Sequence, residues 1–259
     1  MTIWPLVWAV PIPHGDGMSP ASSSTENHDA DRGLALPSSE LAVAARELVT
    51  AVSPPFVAHH AIRSYLFARA VAAAKGLQRD VDYDDELVYL SCVLHDLGVT
   101  DHGNGDQRFE VDGADAAARF LRTHDVDEDR VEIVWQAITL HTSVGLAHRF
   151  GPVQAVSQMG ISTDIIGVDR DLLPPGYAER VHAQWPRDNL GFALAEVIAD
   201  QIERNPQKGP PLTFPSHLHQ LMKAATPAPN WFDLVASSGW NDEPVASPSH
   251  AAADRRSGS

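Results

Sequence analysis

Cysteine is almost absent from this sequence: Cys92 is the single one among 259 residues. No disulfide can form within the chain, so its stability cannot rest on covalent staples. Cys92 sits in the apolar run Leu90 to Leu94, where a buried and unreactive thiol is expected. Basic residues are scarce as well. Nineteen Lys and Arg stand against 34 Asp and Glu, a formal net charge of -15. A surface this negative repels phosphate backbones and anionic lipid, which argues against nucleic-acid and membrane-surface partners. Long apolar runs are also missing. The opening MTIWPLVWAVPIP is apolar, but prolines interrupt it and no Lys or Arg precedes it. It reads neither as a secretory leader nor as a span of about 20 apolar residues. A cytoplasmic protein with a small-molecule substrate is the expectation. The strict alternation and hairpin turns of a β domain are lacking too.

What is present is helical periodicity. An all-α fold, a helical bundle, is expected. Residues 14–33 and the last two dozen are polar and rich in Ser, Asp and Gly, which predicts disorder. The boundaries that follow are a tail over 1–35, a compact domain over 36–235 and a second tail over 236–259. Within the domain, Pro37-Ser38-Ser39-Glu40 opens a helix with a serine N-cap. A second runs from about Val57 to Lys75, and Gly76 stops it. A third starts at the acids Asp84 to Glu86 and runs to Leu97, where Gly98 ends it. Further helices are expected near 112–123, 128–141, 152–167, 175–184, 188–204 and 215–225.

Three of these helices carry residues suited to metal binding. His60 lies early in the second, His95-Asp96 ends the third in CVLHDLG, and Asp164 lies on the sixth in ISTDIIG. Helical bundles build metal sites from inward-facing side chains on separate helices. Asp96 and Asp164 each sit in a nearly apolar stretch, where an ionised carboxylate is costly unless paired or bound to a cation. Taken singly, each residue has a plainer explanation. Asp96 suits a helix end, and His95 suits a satisfied core histidine.

The blocks HHAIRSYLF, LSCVLHDLGVTD, RFEVDGADAA and ISTDIIGVD resemble, in order, those of the HD-domain superfamily in its cyanamide hydratase-like branch. His60 and His95 are 35 residues apart, and Asp96 and Asp164 are 68 apart. The resemblance implies an HD-domain bundle with metal ligands His60, His95, Asp96 and Asp164. It implies a divalent metal, zinc first, with iron, manganese or cobalt as alternatives. It also implies a lyase that adds water to the nitrile carbon of cyanamide or a related small nitrile, giving urea from cyanamide. A divalent ion lowers the pKa of water it binds toward about 7, which supplies a nucleophile at neutral pH.

His141 is the first candidate for moving the proton, and Glu110 the second, as a group that orients water or a ligand histidine. Thr163 and Asp101 are expected to line the pocket. Arg63 is expected to brace a carboxylate. His182 and the remaining histidines are read as surface or loop residues. Homo-oligomers are common in this family, although no residue marks an interface. The rival readings are an HD phosphohydrolase acting on nucleotides, a dinuclear HD oxygenase and a non-catalytic HD binding module. Against the first, Val99 stands where single-metal nucleotidases of the superfamily carry a carboxylate, three positions after the Asp.

Overall fold

The computed structural model describes residues 33–223 and 229–240. Its described residues form an all-α bundle and contain no strand; an isolated bridge pairs Arg79 with Tyr83. The α-helices are α1 (Glu40–Val52), α2 (Pro55–Ala74), α3 (Asp85–Leu94), α4 (Phe109–Thr123), α5 (Glu128–Leu140) and α6 (Pro152–Ile166). They continue with α7 (Tyr177–Gln184), α8 (Leu190–Arg204), α9 (Phe214–Met222) and α10 (Trp231–Ser237). No helix among the described residues is long and apolar enough to cross a membrane. The two expected tails lie mostly outside the described residues. At the first boundary, Leu34 and Leu36 already pack on the core, and the Gly33 carbonyl accepts a hydrogen bond from Tyr177.

The helix starts follow local chemistry. Ser39 caps α1 by accepting from the Ala42 amide, and Asp84 caps α3 by accepting from the Leu87 amide. Proline opens both α2 and α6, where its missing N–H costs nothing. α2 is buried almost all round from Val57 to Ala68, so it is the central helix. It runs against α6 at close range. A methyl group on Gly160 would sit 2.0 Å from the Ser64 carbonyl oxygen. That approach sets residue 164 of α6, one turn on, opposite residue 60 of α2, one turn back.

The third helix departs from its expected end. It stops at Leu94, not Leu97, and His95 is already its C-cap. A short 3-10 turn, Leu97–Val99, follows. Gly98 is required for a different reason than helix termination. A Cβ there would meet the Phe109 carbonyl oxygen at 1.9 Å, so only glycine lets this turn lie against the start of α4. The main apolar core joins α1 to α6. A smaller cluster of Val57, Val99, Phe109, Leu190, Leu194, Ile198 and Ile202 packs α8 over the start of α2, the 3-10 turn and α4. Asp85, the first residue of α3, is buried and accepts a hydrogen bond from Tyr65.

Candidate metal centre

Two of the three histidines at the site are set by helix ends. The last turn of a helix leaves carbonyls without partners. His95 follows α3, and its Nδ1 lies 2.8 Å from the Cys92 carbonyl oxygen. His141 follows α5, and its Nδ1 lies 2.5 Å from the Ile138 carbonyl oxygen. A carbonyl only accepts, so in each ring Nδ1 carries the proton and Nε2 keeps its lone pair. The third ring is His60 on α2. Its Nδ1 lies 2.7 Å from Asp164 Oδ2, an ionised carboxylate, and the same tautomer follows.

The three bare Nε2 atoms point into one place. His60 Nε2 and His95 Nε2 are 3.2 Å apart. Asp96 Oδ2 lies 3.2 Å from His95 Nε2 and 3.8 Å from His60 Nε2. Asp96 Oδ1 lies 3.9 Å from His141 Nε2. Both Asp96 oxygens are buried and accept no hydrogen bond. Two facing lone pairs repel, and an orphaned buried carboxylate costs several kcal/mol unless a cation neutralises it (about 1–3 kcal/mol for a neutral group, more for a charged one). A proton meets part of that demand. Burial alone would lower the His95 pKa, but the Asp96 carboxylate beside it overrides burial and raises it. Reciprocally, burial pushes the Asp96 carboxyl up, and charge on His95 overrides this and holds it well below the usual carboxylate range. A divalent cation would meet the demand completely. Donor type, tautomer and spacing all fit one held by His60, His95 and Asp96.

Asp164 stands elsewhere than expected. It lies behind the His60 ring, on the Nδ1 side. Its Oδ1 accepts from Arg63 Nε at 2.9 Å and from Arg187 Nη1 at 3.0 Å. Its Oδ2 accepts from His60 Nδ1 and, at 2.8 Å, from Arg63 Nη2. Those four bonds occupy the usual acceptor capacity of a carboxylate. In this arrangement Asp164 lies outside the His60, His95 and Asp96 group and fixes the orientation of the His60 ring. Nothing in the sequence pattern separates a carboxylate that ligates from one that orients. Arg63 is fully buried against Asp164, and its Nη1 also donates to the Trp185 and Pro186 carbonyls.

The other expected site residues divide. Glu110 is fully buried near His141 and accepts from Arg108 Nη2 at 2.6 Å and from the Thr142 hydroxyl at 2.5 Å. Thr142 carries no signal in the sequence beyond its place next to His141. Thr163 is buried and donates to the Met159 carbonyl oxygen. It borders a groove of about 610 Å³ behind Asp164, shared with Phe67, Arg170, His182 and Arg187. Asp101 is exposed on the turn after the 3-10 helix and is not brought to the cluster. His182, read as a surface residue, has Nε2 3.9 Å from Asp164 Oδ1. Cys92 is buried, and burial raises its thiol above the ordinary range, as an unreactive core residue requires.

Fold and site together define an all-α protein with a buried His-His-Asp cluster fit for a divalent metal. No protein-family model matches the chain. The chain is similar to cyanamide hydratase DDI2 of Saccharomyces cerevisiae, at 24% identity over 173 residues. The match covers 66% of this chain and 76% of the yeast protein. The same figures hold for cyanamide hydratase DDI3 of that yeast.

Proposed function

We propose that residues 36–235 form an HD-type metal-dependent hydratase that adds water to cyanamide or a related small nitrile. The observation that carries this reading is the convergence of three imidazole rings and the partnerless Asp96 carboxylate in the buried interior. The similarity to cyanamide hydratases supports the choice of reaction. His60, His95 and Asp96 would hold the metal, zinc in the first instance, with Asp164 fixing the His60 ring from behind. Such an ion polarises both the water to be added and the nitrile.

The chain's own residues supply the rest. Burial, the largest cause, pushes His141 down to about 4 in the metal-free chain, so it is neutral at physiological pH. Its Nε2 accepts the proton that the added water gives up and returns it to the nitrile nitrogen. The isourea so formed rearranges to urea. Glu110, held by Arg108 and Thr142, is a fixed buried carboxylate near His141. The Phe109 ring, 5.6 Å from that of His141, forms an apolar wall that keeps bulk water out. His60, His95 and Asp96 are at most 2% exposed, so only a very small molecule suits this site.

Charge selects against the phosphohydrolase alternative. A phosphate site needs free Arg or Lys donors. Among the described residues, Arg63 is committed to Asp164 and Arg108 to Glu110.

The test is urea release from cyanamide by zinc-loaded protein, with a nucleotide panel in parallel. Turnover of nucleotides without turnover of cyanamide would overturn the hydratase reading. His95→Ala is expected to lose zinc, measured by elemental analysis, and urea release together. Stoichiometric zinc in that variant would refute the ligand assignment.

A further inference from the structure

One helix, α8, covers a side of the metal centre. Val57 lies three residues before His60, on the same side of α2. Val99 lies three residues after Asp96, in the 3-10 turn. The Phe109 ring lies 5.6 Å from that of His141. These three apolar side chains, each beside a residue of the site, pack in one cluster with Leu190, Leu194 and Ile198 of α8. The α8 residues recur every four positions, so one stripe of this helix meets all three neighbours of the site. The far side of α8 faces solvent, with Phe192 73% exposed.

The helix is tied by polar contacts at its two ends. Just before it, Asp188 Oδ2 lies 2.9 Å from His59 Nδ1. In its last turn, Gln201 Nε2 donates to the Gly98 carbonyl oxygen at 2.9 Å. Just beyond it, Asn205 Nδ2 donates to Asp106 Oδ1 at 3.0 Å. Between these ties the stripe meets the site through apolar side chains. Leu194 is in its middle and, at 8%, is the most exposed member of the cluster. The side chains of His60, His95 and Asp96 are enclosed, so a molecule that reaches them has to displace something. Turning one leucine at the edge of a cluster is a smaller and faster motion than shifting a packed helix held at both ends.

We propose that Leu194 is a specificity-determining residue: with Val57 and Phe109 it forms an apolar gate that admits small uncharged molecules to the metal centre. This rests on the hydratase reading above and deepens it. A charged molecule sheds its hydration against side chains that offer no polar group in exchange, and that desolvation bars it. Cyanamide and urea carry no net charge at neutral pH and pass. Added bulk on the cyanamide nitrogen meets the leucine.

The experiment compares zinc-loaded wild type, Leu194→Ala, Leu194→Val and Ile202→Ala on cyanamide and on N-alkyl cyanamides up to N-propyl, with the matching urea as the measured product. Leu194→Ala is expected to raise kcat/KM for the N-propyl compound relative to cyanamide by about tenfold, the lower end for added room in an apolar site. Leu194→Val gives a smaller rise. Ile202 lies two turns further along α8, with its side chain against Gly209, and Ile202→Ala leaves the ratio unchanged. Thermal melts check that the fold is kept; should Leu194→Ala not fold, Leu194→Val carries the comparison. A second readout needs no turnover: a bulky chelator strips zinc faster from Leu194→Ala than from Ile202→Ala. An unchanged substrate ratio in Leu194→Ala, or an equal rise in Ile202→Ala, would overturn the proposal. Zinc-loaded wild type that turns over no cyanamide overturns the hydratase reading alone. The stripping rates then decide the gate, and equal rates in the two variants overturn it.

Discussion

Replacing His141 by Gln tests whether this ring is held neutral by its surroundings. His141 is buried, with Nδ1 fixed on the Ile138 carbonyl and Nε2 facing Asp96. Burial pushes its pKa down, and charge on His95 adds to that. Asp96 and Glu110 pull the other way without restoring the ordinary value, and the group ends at about 4. In the unfolded chain it titrates near 6.5. Between these values the unfolded state holds a proton that the native imidazole refuses. The stability of the native state is therefore fully present above about pH 6.5 and is lost as pH falls toward about 4. One proton corresponds to about 1.4 kcal/mol per pH unit. Between about pH 7 and about pH 4.5 the loss from this one ring comes to about 2.5 kcal/mol. The assay is urea unfolding of chelator-treated protein at both pH values. The wild type is expected to lose about 2.5 kcal/mol more than His141→Gln across this interval. Burial also lowers His60 below its ordinary value, and the comparison of wild type with variant cancels such contributions to first order. Equal losses in the two proteins would refute the reasoning.

Two further predictions concern how the bundle presents the site. Gly160→Ala places a methyl group against the Ser64 carbonyl and Ala68, at 2.0 Å and 2.5 Å, so α2 and α6 must move apart. The expected cost is about 1–3 kcal/mol in urea unfolding, with weaker zinc binding because His60 and Asp164 sit on the two helices being separated. Lys208→Met removes the buried ammonium that pairs with Asp112 and also donates to the Gly105 carbonyl. Asp112 keeps donors from the Gly105 and Gln107 amides. The expected loss is therefore about 3 kcal/mol, the lower end for a broken buried pair, and adding Asp112→Asn recovers part of it.

How far the fold and site can be read from the sequence depends on the range of the interaction involved. Helix identities and starts are legible because they rest on local chemistry: a serine or aspartate cap, a proline at the first position, an apolar face repeating with helical period. The end of α3 is not, because Gly98 answers to Phe109 and Gly113 on another helix, not to its own. Asp112 and Lys208 carry no sign of pairing across 96 residues. A motif points Asp101 into the pocket, and the structure leaves it on an exposed turn.

The same division applies to the metal centre, whose four candidate ligands are all named by the sequence motifs. The sequence by itself determined an all-α chain carrying imidazoles and carboxylates in apolar helices, where ionised groups demand a partner. Only the tertiary structure decided which face of each ring looks inward. It set His95 and His141 on their own helix ends, brought Asp164 behind His60 across 104 residues, and delivered Arg187 to the same carboxylate. The two sides of one imidazole, Nε2 toward Asp96 and Nδ1 toward Asp164, lie about 2 Å apart, and helical periodicity carries no information at that scale.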